Sequence, residues 1–199
     1  MALRVAGGRF RGRRLVSPRG TATRPSSGRM RIAVMNILGA AAVEGASVLD
    51  LYAGTGASGI EALSRGARRA LFVERAAPAL KALERNLREL GLGGEEAQIL
   101  RADAVHALRG GFPLEGAPFR LVFCDPPYGV FEDPVRTRAL REALGALAAS
   151  GGLSSDATVI LEHPAARGFG ADPPRLRTAD QRAYSSAGVS FLRPLESTR

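Results

Sequence analysis

The chain has 199 residues, 45% of them apolar and 24% charged, with 24 glycines, 12 prolines and a net charge of +9. This length and apolar fraction suit one compact domain with an appended arm and exclude general disorder. There is no run of about 18 apolar residues to span a membrane and no apolar signal segment near the start. The single cysteine, Cys124, can neither close an internal disulfide nor build a cysteine zinc site. A cytoplasmic protein with no metal and no membrane partner is expected.

Residues 1–31 hold nine arginines and no acid, leaving 19 basic and 19 acidic groups in the other 168 residues. A basic arm on a neutral body suits a polyanion contacted at one place, most often nucleic acid. A merely solvated arginine face is the plainer alternative. Lys81 is the only lysine among the 28 basic residues, a bias that a GC-rich genome also produces.

In chain order, residues 3–16 contain two β-like stretches around Gly7-Gly8, which predict a basic hairpin. A helix is expected from Ser27, with Met30, Val34, Ile37 and Leu38 on its apolar face. Residues 1–40 are read as the arm and 41–199 as the main domain. From residue 47 the pattern alternates between strand and helix. Strands are expected at 47–52, 69–74, 97–103, 119–125 and 158–163, and helices at 60–66, 76–91 and 134–149. Leu80, Leu83, Leu87 and Leu90 share one face of the second of these helices, which Gly91 stops. Strands buried on both faces and separated by helices give a mostly parallel α/β sheet. Two strands within 175–194, joined by Ser185-Ser186-Ala187, predict an antiparallel hairpin at the sheet edge.

Two turns carry the chemistry. The first runs from Asp50 through Ala53, Gly54, Thr55 and Gly56 to Gly59, and its glycines allow close backbone approach to a ligand at the carboxyl edge of the sheet. Glu74 ends the next strand, where it can bind the two hydroxyls of a ribose. G-T-G-A-S-G also matches a dinucleotide fingerprint, and glycines used only for packing would look the same. The second turn, Asp125-Pro126-Pro127-Tyr128, lacks two backbone N–H groups and is rich in acceptors. It suits a planar amine held by both hydrogens, with Tyr128 as a stacking face. His106, His163 and Cys124 read as structural or surface residues, and Glu61 and Glu84 as parts of solvated helix faces.

DLYAGTG, Glu74, Asp103 and DPPY in this order resemble S-adenosylmethionine-dependent methyltransferases acting on exocyclic amines. VAGGRFRGRRL (5–15) and TRPSSGRMRIAVMNIL (23–38) are similar to the RsmD family of 16S rRNA guanine-N2 methyltransferases. The resemblance covers essentially the whole chain. Tyr52 departs from the glycine that methyltransferase turns often carry there. The resemblance implies a class I, Rossmann-like methyltransferase fold with a seven-stranded sheet. S-adenosylmethionine would lie against Asp50, Ala53, Gly54, Thr55, Gly56, Glu74, Asp103 and Ala104. Asp125, Pro126, Pro127 and Tyr128 would hold the target base, flipped out of any stack. Arg9, Arg11, Arg13, Arg14, Arg24, Arg29 and Arg31 would contact small-subunit rRNA, naked or within an assembling particle, the last three from a segment over the mouth of the active site. The alternatives are a DNA amino-methyltransferase, a non-catalytic RNA-binding or assembly protein and, more distantly, a nicotinamide enzyme.

Overall fold

The computed structural model describes residues 3–18, 25–110 and 114–195. Its seven strands are β1 (Ser47–Leu51), β2 (Arg69–Glu74), β3 (Ala97–Arg101), β4 (Phe119–Cys124), β5 (Leu153–Pro164), β6 (Leu176–Tyr184) and β7 (Ala187–Pro194). They form one sheet in the order β3-β2-β1-β4-β5-β7-β6. The pairs β2–β3, β1–β2, β1–β4 and β4–β5 are parallel, whereas β7 runs antiparallel to both β5 and β6. This is the Rossmann-like α/β architecture expected from the sequence, with the hairpin at its edge.

All five residues of β1 are buried, so its alternating side chains feed two different cores. Val48, Phe72, Leu121 and Phe123 face one side, together with Val5, Leu15, Met30 and Val34 from the first forty residues. Leu49, Leu51, Val73 and Val122 face the other, against Leu140 and Leu144. The first side is covered by α1 (Pro25–Val43), α2 (Ala57–Ser64) and α3 (Ala77–Leu90), and α4 (Ala104–Arg109) and α6 (Pro134–Ala149) belong to the second. Among the described residues, no helix is long and apolar enough to cross a membrane.

Several boundaries differ from the sequence expectations. Helix α1 starts at Pro25 rather than Ser27 and breaks its helical dihedrals at Gly39 (φ 72°, ψ 166°). Met30 and Val34 are buried as expected, but Ile37 is 43% exposed and Met35 takes a core position in its place. Strand β5 begins at Leu153, ahead of the predicted residue 158, and the one-turn helix α5 (Gly129–Glu132) was not expected.

The basic hairpin is only partly realised. Arg4 and Arg14 form one antiparallel bridge, and Val5 N–H donates to the Arg13 carbonyl at 3.0 Å, but no ladder develops. The connection is a 3-10 turn over Gly8–Phe10, with the Gly8 carbonyl accepting Arg11 N–H at 3.1 Å, rather than a two-residue turn at Gly7-Gly8, and the two glycines let the arm press onto the end of α2. A Cβ on Gly8 (φ 73°) would lie 1.7 Å from the Ser64 carbonyl oxygen, and one on Gly7 would lie 2.7 Å from the Arg65 guanidinium.

Glu61, expected on a solvated face, is fully buried. Its carboxylate accepts from Ala6 N–H at 2.8 Å, Gly7 N–H at 2.9 Å and Arg65 Nε at 2.8 Å, and Arg31 Nε lies 3.6 Å away. The arm thus satisfies a buried charge, and the charge fixes the arm. Removing one partner of such a group leaves the others buried and unpaired. Glu61→Ala is therefore expected to lower the unfolding free energy by about 3–5 kcal/mol. Urea titration of both proteins checks this, and a loss below about 1 kcal/mol, the level of a surface ion pair, would remove the fastening role.

Candidate active site

Four acids expected at the site sit at the carboxyl ends of four neighbouring strands. Asp50 lies within β1, Glu74 ends β2, Asp103 follows β3 and Asp125 follows β4. With the strand order β3-β2-β1-β4, they line one sheet edge as Asp103, Glu74, Asp50, Asp125. Strands lie about 4.8 Å apart, so the row extends over roughly 14 Å. Residues separated by 75 positions in sequence become one linear array.

A cleft of about 340 Å³ opens beside this row. Asp50, Tyr52, Ala53, Gly54 and Thr55 supply its floor, Phe123, Cys124 and Asp125 one end, and Ile160, Glu162 and Val189 the adjoining strands. Leu3, Pro18, Met30, Arg31 and Val34 complete the wall. The first forty residues therefore help to build the cleft.

The glycines of the first turn divide their labour. A Cβ on Gly54 (φ 58°) would meet only the Tyr52 carbonyl oxygen, at 3.8 Å, so bare backbone faces the cleft. Gly56 does not line the cleft; a Cβ there would lie 2.4 Å from Leu83, and one on Gly59 2.4 Å from Phe72. Those two glycines allow α2 to pack against the sheet and α3. Tyr52 itself adopts φ 58°, a conformation suited to glycine. The backbone thus keeps the geometry of the usual glycine while placing a half-buried phenol ring on the cleft wall.

Glu74 and Asp103 are already engaged in local structure. Glu74 Oε2 accepts from Gly54 N–H at 2.8 Å, and Oε1 accepts from Arg75 and Ala76 N–H, each at 2.8 Å. It ties the glycine turn to the next strand end. Asp103 caps α4 by accepting from His106 N–H at 3.1 Å and pairs with Arg75 Nη1 at 3.1 Å. Neither residue lines the cleft itself. Ala104 is buried in the second core, so only its backbone can meet a ligand. At the other turn, the Pro127 and Tyr128 carbonyls accept Val130 and Phe131 N–H, each at 2.9 Å. Asp125 is exposed, Pro126 is buried and Tyr128 is half-buried.

Among the predicted RNA contacts, Arg9, Arg11, Arg13, Arg14 and Arg29 are exposed. Arg9 pairs with Glu96, and Arg13 Nη2 donates to the Glu89 carbonyl at 2.8 Å. Arg24 lies outside the described residues. Arg31 lies at the cleft, as expected for its segment, but it is only 9% exposed and forms part of the cleft wall rather than an open RNA-contact surface.

Sequence reasoning did not single out Asn86 or Glu162. Asn86 is buried on the apolar stripe of α3; its amide accepts from Val16 N–H at 2.7 Å and donates to the Val16 and Thr55 carbonyls at 3.0 and 2.9 Å. An asparagine inside a leucine stripe was the available signal. His163 and Cys124 are both buried, as expected of structural residues, although Cys124 also borders the cleft. His163 is buried, with Nε2 2.9 Å from Ser190 Oγ, and burial pushes the Cys124 thiol well above its usual range.

Residues 3–193 match the family described as conserved hypothetical protein 95. Ribosomal RNA small subunit methyltransferase D of Escherichia coli K12 is 33% identical over 187 residues, covering 92% of this chain and 87% of that protein. The Bacillus subtilis protein named "Putative rRNA methyltransferase YlbH" is 35% identical over 161 residues, covering 81% of this chain and 82% of that one. A solved structure titled "Putative methyltransferase yhhF from Escherichia coli" superposes with a TM-score of 0.78 at 28% identity, covering 98% of each chain.

Burial raises the Asp50 carboxyl to about 8, reinforced by the charges of Asp125 and Glu74 and opposed by the Gly59 N–H bond and by Arg31. The unfolded side chain titrates near pH 3.9, so between about pH 4 and 8 the native state holds the extra proton. Stability must therefore fall as pH rises through that window and level off above it. Asp50→Asn retains an acceptor for Gly59 N–H and cannot ionise. Melting curves at about pH 5 and pH 8 should show the variant gaining on wild type at the higher pH; parallel curves would refute a proton held on Asp50.

Proposed function

The chain belongs to the RsmD family, and from that premise we propose that it methylates the exocyclic N2 amine of a guanine in 16S rRNA, with the Asp125–Tyr128 turn holding the base. At the coarser level it is an S-adenosylmethionine-dependent rRNA methyltransferase. The observation carrying the finer reading is the acid row along one sheet edge, which ends at an acceptor turn beside the cleft.

The residues suit the methyl donor. Gly54 leaves bare backbone toward the cleft, and the acids favour a cationic ligand. In this reading Glu74 binds a ribose hydroxyl, Asp103 and the Ala104 backbone meet the adenine, and the 53–56 turn borders the methionine end. Gly56 contributes by shaping the turn from behind. The three amides on Glu74 use part of its carboxylate, which has about four acceptor sites and keeps capacity for a hydroxyl. When bound, S-adenosylmethionine supplies an electrophilic methyl carbon on a sulfonium.

The target amine is held by acceptors. Helix α5 occupies the Pro127 and Tyr128 carbonyls, so that role narrows to the Asp125 carboxylate and the Pro126 carbonyl. Accepting both amine hydrogens draws the nitrogen toward a pyramidal shape and aims its lone pair. Tyr128 stacks on the ring, and Asp125 takes the proton that the amine sheds. Alignment and acceptor placement carry this chemistry, with no strong base required. Arg9, Arg11, Arg13, Arg14 and Arg29 meet RNA phosphates, and Arg24 is assigned the same role from sequence.

Incubation with labelled S-adenosylmethionine and unmodified small-subunit rRNA or particles, followed by mass spectrometry of nucleosides, tests the reading. N2-methylguanosine is expected, and N6-methyladenosine would overturn it. Asp125→Ala should nearly abolish transfer while cofactor affinity stays within about tenfold, less than the loss of one charged hydrogen bond can cost at its upper end. Full activity in that variant would remove the acceptor turn from the mechanism. Replacing Arg11 and Arg14 by glutamine should reduce the log–log salt slope of RNA affinity by about 0.7–0.9 per lost contact. An unchanged slope would make them a solvated face.

A further inference from the structure

Arg31 is a buried cation on the cleft wall with incomplete partners. Its Nη2 donates to the Arg4 carbonyl at 2.9 Å. Its Nε lies 3.6 Å from Glu61 Oε2, beyond hydrogen-bonding distance, and makes no hydrogen bond. Glu61 is meanwhile held closely by Ala6 N–H, Gly7 N–H and Arg65 Nε. Two guanidinium groups therefore share one carboxylate, and the surplus positive charge borders the cleft.

Asp50 lines the same cleft and lies near enough to act electrostatically on Arg31. A cation with unused donors beside a carboxyl group is complementary to a zwitterion. Guanidinium binds carboxylate through paired N–H bonds, and a carboxylate binds ammonium. An α-amino acid end presents both groups on one carbon. An RNA phosphate offers no ammonium, and Arg31 is too buried to meet a duplex surface.

We propose that Arg31 binds the α-carboxylate of the methionine end of S-adenosylmethionine, opposite Asp50, and is a cofactor-binding residue rather than an RNA contact. This rests on the methyl-donor reading above. It also gives the arm a part in cofactor binding, because the Arg4 carbonyl and the Glu61 cluster hold the guanidinium in place.

Calorimetric titration of the full chain with three ligands tests this. They are S-adenosylhomocysteine, its analogue lacking only the carboxylate, and 5′-methylthioadenosine, which lacks the whole amino-acid end. Wild type should bind the decarboxylated analogue about tenfold or more weakly than S-adenosylhomocysteine, as expected for a lost charged hydrogen bond. Arg31→Gln should erase that preference while leaving 5′-methylthioadenosine affinity unchanged, and Arg31→Lys should restore part of it. Equal binding of the two larger ligands by wild type overturns the inference without any variant. So does an Arg31→Gln protein that weakens both equally, which is the mark of a structural role alone. If wild type binds none of the three, the methyl-donor reading itself fails.

Discussion

The Glu61 carboxylate has no access to water, and its two oxygens are shared by two arm amides, Arg65 and, at longer range, Arg31. A buried charge is tolerated only when it is paired and hydrogen-bonded. The arrangement of the N-terminal segment follows from that constraint. Residues 6 and 7 must present their N–H groups to α2, which brings the chain so close that Gly8 has no room for a Cβ. Ser64 extends the attachment, with its hydroxyl donating to the Gly7 carbonyl at 2.5 Å and accepting from Phe10 N–H at 2.9 Å. Asn86 repeats the device farther along, joining Val16 to the glycine turn through Thr55. The exposed arginines are thus mounted on a segment anchored from behind by buried polar groups.

The acid row poses an electrostatic problem that the fold resolves locally. Glu74 and Asp103 are each neutralised or hydrogen-bonded by neighbouring backbone and by Arg75. Asp50 is treated differently: burial keeps its proton on to about pH 8. A cation arriving beside it would stabilise the ionised form and release that proton. The edge is therefore adapted to a positively charged ligand, with Asp50 able to change its charge as that ligand arrives.

The alternation of strands and helices was legible because buried parallel strands are short apolar runs and the helices between them end at glycines. Helix α6 and strand β2 match their predicted limits of 134–149 and 69–74. Glu61 was misread because charge usually marks a solvated face, and the helical pattern of α2 does not reveal that the arm covers it. Arg31 was misread for a related reason. The sequence groups it with Arg24 and Arg29 as an RNA contact over the mouth of the active site, whereas the helix turns Arg29 outward and Arg31 inward onto the cleft wall. Gly7 and Gly8 looked like a turn because the sequence does not show which distant backbone a glycine must approach. Contacts between segments far apart in the chain are what local patterns omit.

Those distant contacts also set an order of assembly. Ala6 reaches its partner 55 residues later and Val16 reaches Asn86 70 residues later. During synthesis the arginine-rich segment is made before α2 and α3, so nothing exists for it to dock against until they have followed. Such long-range closure is slow relative to local helix formation, and it requires the α2 and α3 side chains that the arm docks against. The arginine-rich segment can thus reach its native setting only once α2 and α3 are in place, and the cleft wall formed by Leu3, Pro18 and Arg31 is completed with it.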